Sequence, residues 1–312
     1  MRNLSPPMAI LVTVVMLLLT GCVMITPETA DAPSAATIPD ANAEPERAPR
    51  VVDPMHPPAD SDTEEFDPSN FGEDSANLTN EWMPWQPGMH WVFEGESIEG
   101  DERTAHRIEY TVTDLTKMID GVRTRVIWLV DYSDGELVEK EVAFFAQGND
   151  GSIWYFGEHP EAFEDGELVE APTWIAGIED ALPGIAMLAD PQPNQRSYSQ
   201  GWGPAVDWTD RAQVGDSVDE ICNPVGCYPN VLVINEYNYK EPGIKLKYYA
   251  QGVGNIGVSW KGAAVQQEEL ALVESSVLDD ATLAEVHELT LALEANAYAI
   301  SPTVYALTSP ME

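Results

Sequence analysis

The feature that most limits what this chain can fold into is a series of alternating apolar and polar runs punctuated by Asp-Gly turns. In the run from Val122 to Tyr132, the side chains of Val122, Thr124, Val126, Trp128, Val130 and Tyr132 face one way. Arg123 and Arg125 open the opposite face, and Ile127 and Leu129 continue it, so the strand starts half wet and ends buried on both sides. In the preceding run Ile108, Tyr110 and Val112 share one face. Asp120-Gly121, Asp134-Gly135 and Asn149-Asp150-Gly151 place residues tolerant of positive φ between such runs. The expected strands are 103–114, 121–132, 136–146 and 152–157, with later ones at 231–239, 245–250, 256–260 and 270–273. The turn between 231–239 and 245–250 is expected at Glu241-Pro242-Gly243. Consecutive hairpins need no helical crossover, so the expected fold is mainly β, a large curved antiparallel sheet or half-barrel.

Two segments interrupt this pattern. Between Glu158 and Gln213 the alternation fades, and prolines recur at 160, 172, 183, 191, 193 and 204. This stretch nevertheless carries Trp174, Met187, Trp202 and Trp208, so it is expected to fold over the sheet, closing one end of the core or forming a lid. Near the end, Thr282-Leu-Ala-Glu285 fits a capping box, and Leu283, Val286, Leu289 and Leu293 recur at helical spacing, which predicts one helix over 282–297. His287 on this helix is expected to be a partly buried or interfacial imidazole, and Tyr298 to Leu307 to add a short edge strand.

The start of the chain carries an address. Arg2 precedes an apolar stretch from Met8 to Leu19, shorter than a membrane span, and Leu19-Thr20-Gly21-Cys22 follows it. This segment resembles the signal and lipobox of bacterial lipoproteins. The resemblance implies a signal peptide at 1–21, cleavage before Cys22, a diacylglycerol thioether on its thiol, and a fatty acyl group such as palmitate on its new amino group. The partner it implies is a membrane, reached through the lipid anchor; with Val23 next, the expected location is the outer membrane if the host has two. Residues 23–75 hold nine prolines and thirteen acids against Arg47 and Arg50, too few large apolar groups to offset backbone ordering. The expectation is an acidic, Pro- and Ala-rich disordered tether over 22–75 and a single β-rich envelope domain over 76–312.

Fifty-three acids against fifteen Lys and Arg leave a formal charge of −38. That repels nucleic acid, and no basic patch offsets it. The acids are spread along the chain, which favours hydration and diffuse divalent-cation binding over a dedicated calcium loop.

Candidate chemistry is sparse. Cys222 and Cys227 frame Asn-Pro-Val-Gly, a turn that brings two thiols together, and they read as a structural disulfide rather than a Cys-x-x-Cys redox pair or half a zinc site. Glu158 and His159 end an aromatic run and are the leading acid/base candidates, with Glu179 or Asp180 as an alternative second carboxylate converging across the fold, although neighbours on an extended chain point apart. There is no nucleophile elbow, phosphate loop or dinucleotide fingerprint, and neither cofactor nor metal is expected. The aromatic set Trp128, Phe144, Phe145, Trp154, Phe156, Tyr248 and Tyr249 is open to two readings, a core or the lining of a concavity for a lipid or other apolar guest.

Trp154-Tyr155-Phe156-Gly157-Glu158, Pro183-Gly184-Ile185 and Lys247-Tyr248-Tyr249-Ala250 with Gly252-Val253-Gly254 resemble a widespread group of uncharacterised bacterial secreted proteins and lipoproteins. The resemblance spans about 82–275 and implies a β-rich exported body but no activity. That group often has a glutamate where this chain has Gly201, so no acidic site is carried over to that position. The expected function is non-catalytic binding at the cell envelope, with a lipid or other apolar molecule as the ligand considered; the alternatives are a structural or protein-interaction module and a hydrolase with an unrecognised carboxylate/histidine site. Self-repulsion among the acids makes folding salt-sensitive, and the denaturation midpoint is expected to rise between low and high NaCl. Equal midpoints in a urea titration would refute this.

Overall fold

The computed structural model describes residues 63–238, 243–262 and 266–312, which lie within one compact unit; the expected signal, Cys22 and most of the expected tether lie outside them. Five long strands lead the fold: β1 (Met89–Glu99), β2 (Glu102–Ile119), β3 (Val122–Ser133), β4 (Glu136–Gln147) and β5 (Ile153–Glu164). Each pairs antiparallel with the next. Asp120-Gly121 and Asp134-Gly135 form the two-residue turns read from the sequence, all four with positive φ, which matches the right-handed twist of the flanking strands.

The expected irregular excursion is irregular over more than half of its length, with short strands set into it. Strand β5 runs on through Pro160 to Glu164, and six short strands follow it: β6 (Glu167–Glu170), β7 (Trp174–Ile175), β8 (Leu182–Met187), β9 (Tyr198–Ser199), β10 (Gly201–Trp202) and β11 (Arg211–Val214). Two- to six-residue strands are too short for alternation to show, which is why the sequence pattern fades here. The remaining strands are β12 (Val218–Cys222), β13 (Cys227–Tyr237), β14 (Gly243–Ala250), β15 (Gly254–Gly262) and β16 (Gln266–Val277). Of the expected turn at 241–243, only Gly243 is among the described residues, as the first residue of β14. Strand β16 returns to lie antiparallel to β1, joining the two halves of the sheet.

The strand order is β10-β8-β5-β4-β3-β2-β1-β16-β15-β14-β13-β11-β9. Its two ends, β9 and β10, belong to one five-residue stretch separated only by Gln200. Tyr198 and Ser199 pair with Ala212 and Arg211 on one side, and Gly201 and Trp202 pair with Pro183 and Leu182 on the other. The curved sheet is therefore drawn round until both edges meet a single segment. Glycine is required at this seam. A Cβ on Gly184 would lie 2.1 Å from the Gly201 nitrogen, and one on Gly201, whose φ is 147°, would lie 2.6 Å from the Trp174 ring.

Curvature gives the sheet two apolar faces and two cores. The inner one draws Trp91, Phe93, Ile108, Ile127, Phe145, Tyr155, Trp174, Ile234 and Leu272 from nearly every long strand, and Leu78, Met83 and Trp85 pack into it from the segment before β1. The outer one lies over β2–β5, where Val126, Trp128, Val142, Phe144, Trp154 and Phe156 meet Leu293, Ala297, Tyr305 and Met311. Each large side chain fully buried in this way contributes about 1.5–3 kcal/mol relative to exposure. Phe66 and Phe71 also reach this outer face, with ring centroids 5.7 and 5.5 Å from Phe156. The folded body thus begins ahead of the expected boundary at 76, because two phenylalanines in the acidic stretch find an apolar surface.

The single α-helix among the described residues, α1 (Asp280–Ile300), is longer at both ends than expected. Its N-cap is Asp279, whose carboxylate accepts from the Thr282 amide, so Thr282 lies in the first turn and does not itself cap. The expected edge strand over Tyr298–Leu307 is instead the helix end and a 3-10 turn at Tyr305–Leu307, with Tyr305 fully buried. His287 meets Asp114 of β2 at 2.8 Å. Arg125, read from alternation as part of a wet face, is buried; its guanidinium donates to the carbonyls of Ala76, Thr113, Asp114 and Leu115 where β2 bulges.

One ion pair fastens α1 and the tail to the sheet. Lys117 of β2 is fully buried, and its Nζ lies 2.7 Å from Glu294 Oε1, 2.6 Å from the Ser309 carbonyl and 4.5 Å from the Tyr305 ring centroid. Glu294 in turn accepts from the Met311 amide. Removing one member leaves an uncompensated buried charge, so Lys117→Ala is expected to cost about 3–5 kcal/mol in urea unfolding, whereas Lys117→Met with Glu294→Leu loses far less. Equal losses in the two variants would show that the pair is not what holds the helix.

Candidate functional site

The inner face changes character along its length. Residues facing each other across paired strands share a side of the sheet, so the inward set can be followed from strand to strand. On β4 it runs Phe145, Ala143, Glu141, Glu139, and on β14 it runs Tyr249, Lys247, Lys245. On β3 it passes from Leu129 to Asp131, on β13 from Ile234 to Glu236, and on β16 from Leu270 to Glu268. Each strand is apolar or aromatic toward the end plugged by Met83 and Trp85 and charged toward the other. Together they form a polar throat above an aromatic floor. Although they point into the concavity, Lys247 and Lys245 keep 31% and 34% of their side-chain surface exposed, so water reaches this end.

Most of the charges in the throat are paired. Lys245 Nζ lies 2.8 Å from Glu268, Lys247 Nζ 2.8 Å from Glu236, and His106 Nε2 2.8 Å from Asp131. The Glu268 charge raises the Lys245 ammonium above its ordinary range; burial opposes the Lys247 charge, but Glu236 outweighs it and raises that group too. Burial likewise works against a charged His106, and the Asp131 hydrogen bond and charge overcome it, so the imidazole is held above its usual pKa. The Gln200 amide donates to Glu236 at 2.9 Å, tying the seam to the throat.

Three further carboxylates, Glu139, Glu141 and Glu158, make no salt bridge among the described residues, although the Lys247 charge works to keep Glu141 and Glu158 ionised. Desolvation, reinforced by the Glu158 charge, pushes Glu139 up to about 8 and Glu141 well above the usual carboxylate range. Desolvation also raises Glu158 to about 7, against the hydrogen bonds it accepts from the Tyr155 hydroxyl and the Trp174 indole. Below it the floor is closely packed: Phe145 stacks on Tyr155 at 4.5 Å and Trp174 on Trp208 at 5.7 Å.

The candidate residues read from sequence fall into separate places. Glu158 faces the throat, whereas His159 faces the outer core and is fully buried, with Nδ1 2.6 Å from the Thr173 hydroxyl and Nε2 3.6 Å from Glu161. They cannot act on one substrate, because consecutive strand residues point to opposite faces. Trp128, Trp154 and Phe156 are buried in the outer core, where Trp154 and Phe156 meet the Phe66 and Phe71 rings, while Tyr249 is in the inner core and Tyr248 packs at its margin with its hydroxyl 2.7 Å from Ser259. The aromatic set therefore lines no single surface, and Phe144 and Phe145 divide between the two cores in the same way. Cys222 and Cys227 are bonded to each other across the β12–β13 hairpin, far in sequence from the throat residues of β4 and β5.

Sequence reasoning overlooked Glu139, Glu141, Lys245 and Lys247. Their signal was available as a gradient at period two: in β4 and β14 a single face passes from charged to aromatic within a few residues. No group of three or more His, Cys, Asp or Glu among the described residues is arranged to hold a metal ion.

No protein-family model matches this chain, and no curated protein matches it. It is similar to a protein with a YmcC-like fold from Bacteroides fragilis NCTC 9343, at 12% identity and a TM-score of 0.38 over 63% of this chain and 99% of the other. A β-barrel-like protein of the domain DUF1849 from Brucella abortus gives 11% identity and a TM-score of 0.38, covering 62% and 99%. A candidate lipoprotein of Parabacteroides distasonis ATCC 8503 gives 12% and 0.34, covering 63% and 99%. No ligand, address or activity is transferred from them.

Burial lowers His159 to about 4, so the imidazole stays neutral in the folded protein while it would charge in the unfolded chain. Its contribution is intact above the ordinary histidine pKa and is lost as pH falls from about 6.5 to about 4, up to ~3 kcal/mol. His159→Asn is expected to flatten the stability profile across this window in denaturant titrations at stepped pH. Parallel profiles for the two proteins would mean that the imidazole titrates normally.

Proposed function

We propose that this chain is a lipid-anchored, non-catalytic binding protein of the cell envelope whose ligand enters the open, polar end of the curved sheet. The observation that carries the reading is the convergence of charged side chains from β3, β4, β5, β13, β14 and β16 on one solvent-reached concavity above an aromatic floor. Small-molecule sites combine such a floor with a few convergent polar groups. Burying this many charges is costly to the fold and contributes nothing to it that apolar side chains would not supply better.

The address supports the envelope part of the proposal: Cys22 follows a signal-length apolar stretch, and the acidic segment after it spaces the body from a bilayer. The site favours a polar or amphiphilic ligand over a wholly apolar one. The aromatics that would line a lipid cavity are either packed on one another in the floor or buried in the outer core, and the way in passes charged groups. Glu158 and His159 lie on opposite faces of β5 and so do not form one acid/base pair, which favours binding over hydrolysis at this end of the sheet.

Native mass spectrometry of the full chain purified from its membrane, with extraction and identification of released molecules, tests this. The expected result is a stoichiometric small molecule bearing a polar head, lost when Lys247→Ala and Glu236→Ala open the throat. A clean apo mass that persists after incubation with an envelope extract would overturn it and favour a structural role.

A further inference from the structure

Resting on the binding reading above, we propose that the mouth of the throat holds a neutral saccharide, one or two sugar rings recognised by Trp260, the Lys245–Glu268 and Lys247–Glu236 pairs and Tyr198. The strand register brings these groups onto one inward row. Tyr198 of β9 lies opposite Ala212 of β11, Ala212 opposite Glu236 of β13, Glu236 opposite Lys245 of β14, and Lys245 opposite Trp260 of β15. Residues opposite one another share a face, so all of them point where Lys245 points, into the concavity. From β9 to β15 the row crosses four strand spacings, about 19 Å along the curved sheet and less across it, which suits one or two six-membered rings.

Each lysine on this wall has its own carboxylate. Lys245 Nζ is 2.8 Å from Glu268 and Lys247 Nζ 2.8 Å from Glu236, which also accepts from the Gln200 amide at 2.9 Å. A small ion would have to break one of these pairs, whereas a hydroxyl need not: a paired carboxylate keeps acceptor sites, a paired ammonium keeps N–H donors, and one hydroxyl uses both. Strand β15 lies between β14 and β16, so the Lys245–Glu268 pair crosses it, and the Trp260 indole is turned onto Gly243, where a Cβ would lie 2.2 Å from the ring. The indole is half-buried beside the pair and offers apolar ring surface to the C–H groups of a sugar whose hydroxyls meet the charges. Two polar atoms on the row lack a hydrogen-bond partner among the described residues, the Trp260 Nε1 and the Tyr198 hydroxyl. Tyr198 is only 2% exposed and lies in the field of Tyr249, Glu236 and Glu64. A buried hydroxyl left unmatched is costly, and a sugar hydroxyl matches it as donor or acceptor. An alkyl chain in the same place would leave all of these groups unmatched.

The test titrates the full chain in detergent with neutral disaccharides of glucose, galactose, mannose and N-acetylglucosamine, by calorimetry at about 50 and about 500 mM NaCl. In parallel, native mass spectrometry of the chain from its own membrane separates the two sources of such a ligand, a free glycan and the head of a glycolipid. The expected result is a saccharide bound at a single site, by titration or in the native mass spectrum, with an affinity that salt does not change. Trp260→Ala is expected to weaken it about tenfold, and Trp260→Phe, which keeps a ring, to retain most of it. Tyr198→Phe is expected to weaken binding about threefold or more while the unfolding temperature stays level or rises, because the hydroxyl removed has no partner to lose; a purely structural tyrosine would not give both results. Saccharide binding that survives Trp260→Ala, or that collapses at the higher salt, would overturn the proposal. A stoichiometric ligand containing no sugar would sink the saccharide and leave the binding reading standing, and an empty protein in both experiments would sink both.

Discussion

The fold depends on a short stretch of backbone that hydrogen-bonds in two directions. Tyr198 and Ser199 complete one edge of the sheet and Gly201 and Trp202 the other, with Gln200 between them reaching Glu236 in the throat. Sheet edges carry unpaired N–H and C=O groups that are a liability when exposed. Here one segment covers both, and in doing so it holds the sheet curved. Without that curvature the inward charges of β4 and β14 would lie on an open surface in bulk water, and no concavity would exist to lower the dielectric around them.

Curvature also explains why the protein needs a helix. A sheet bent round an inner core still exposes the convex face of β2–β5, which is as apolar as the concave one. Helix α1, the tail through Met311 and the phenylalanines at 66 and 71 cover that face, and the buried Lys117–Glu294 pair sets the register in which they do so. The two cores have different tasks. The outer one is dry and closed, whereas the inner one is dry only at its floor and becomes polar toward the open end.

Local chemistry made a large part of this legible. Asp120-Gly121 and Asp134-Gly135 announce tight hairpins because few other dipeptides adopt two successive positive φ values. The alternation of Val122 to Tyr132 marks a strand whatever it packs against. The Cys222–Cys227 bond follows from a turn short enough to bring the thiols together. Less visible were the pairing of β1 with β16 and the seam at 198–202, which join residues far apart in sequence and leave no local trace. Arg125 illustrates the same limit: alternation placed it on a wet face, and a bulge in β2 buried it against four carbonyls.

The sequence by itself determined the strands, their hairpin turns, the acidity and the export-like start, because each depends on φ preferences, side-chain period or composition within a few residues. Only the tertiary structure decided which of two neighbouring residues belongs to the site. It turned Glu158 into the throat and His159 under the tail, set Phe145 in the floor and Phe144 in the outer core, and gathered Glu139, Glu141 and Glu158 at one end of the inner face. The physical reason is that alternation assigns residues to opposite faces but does not say which face becomes the inside; the curvature of the sheet does.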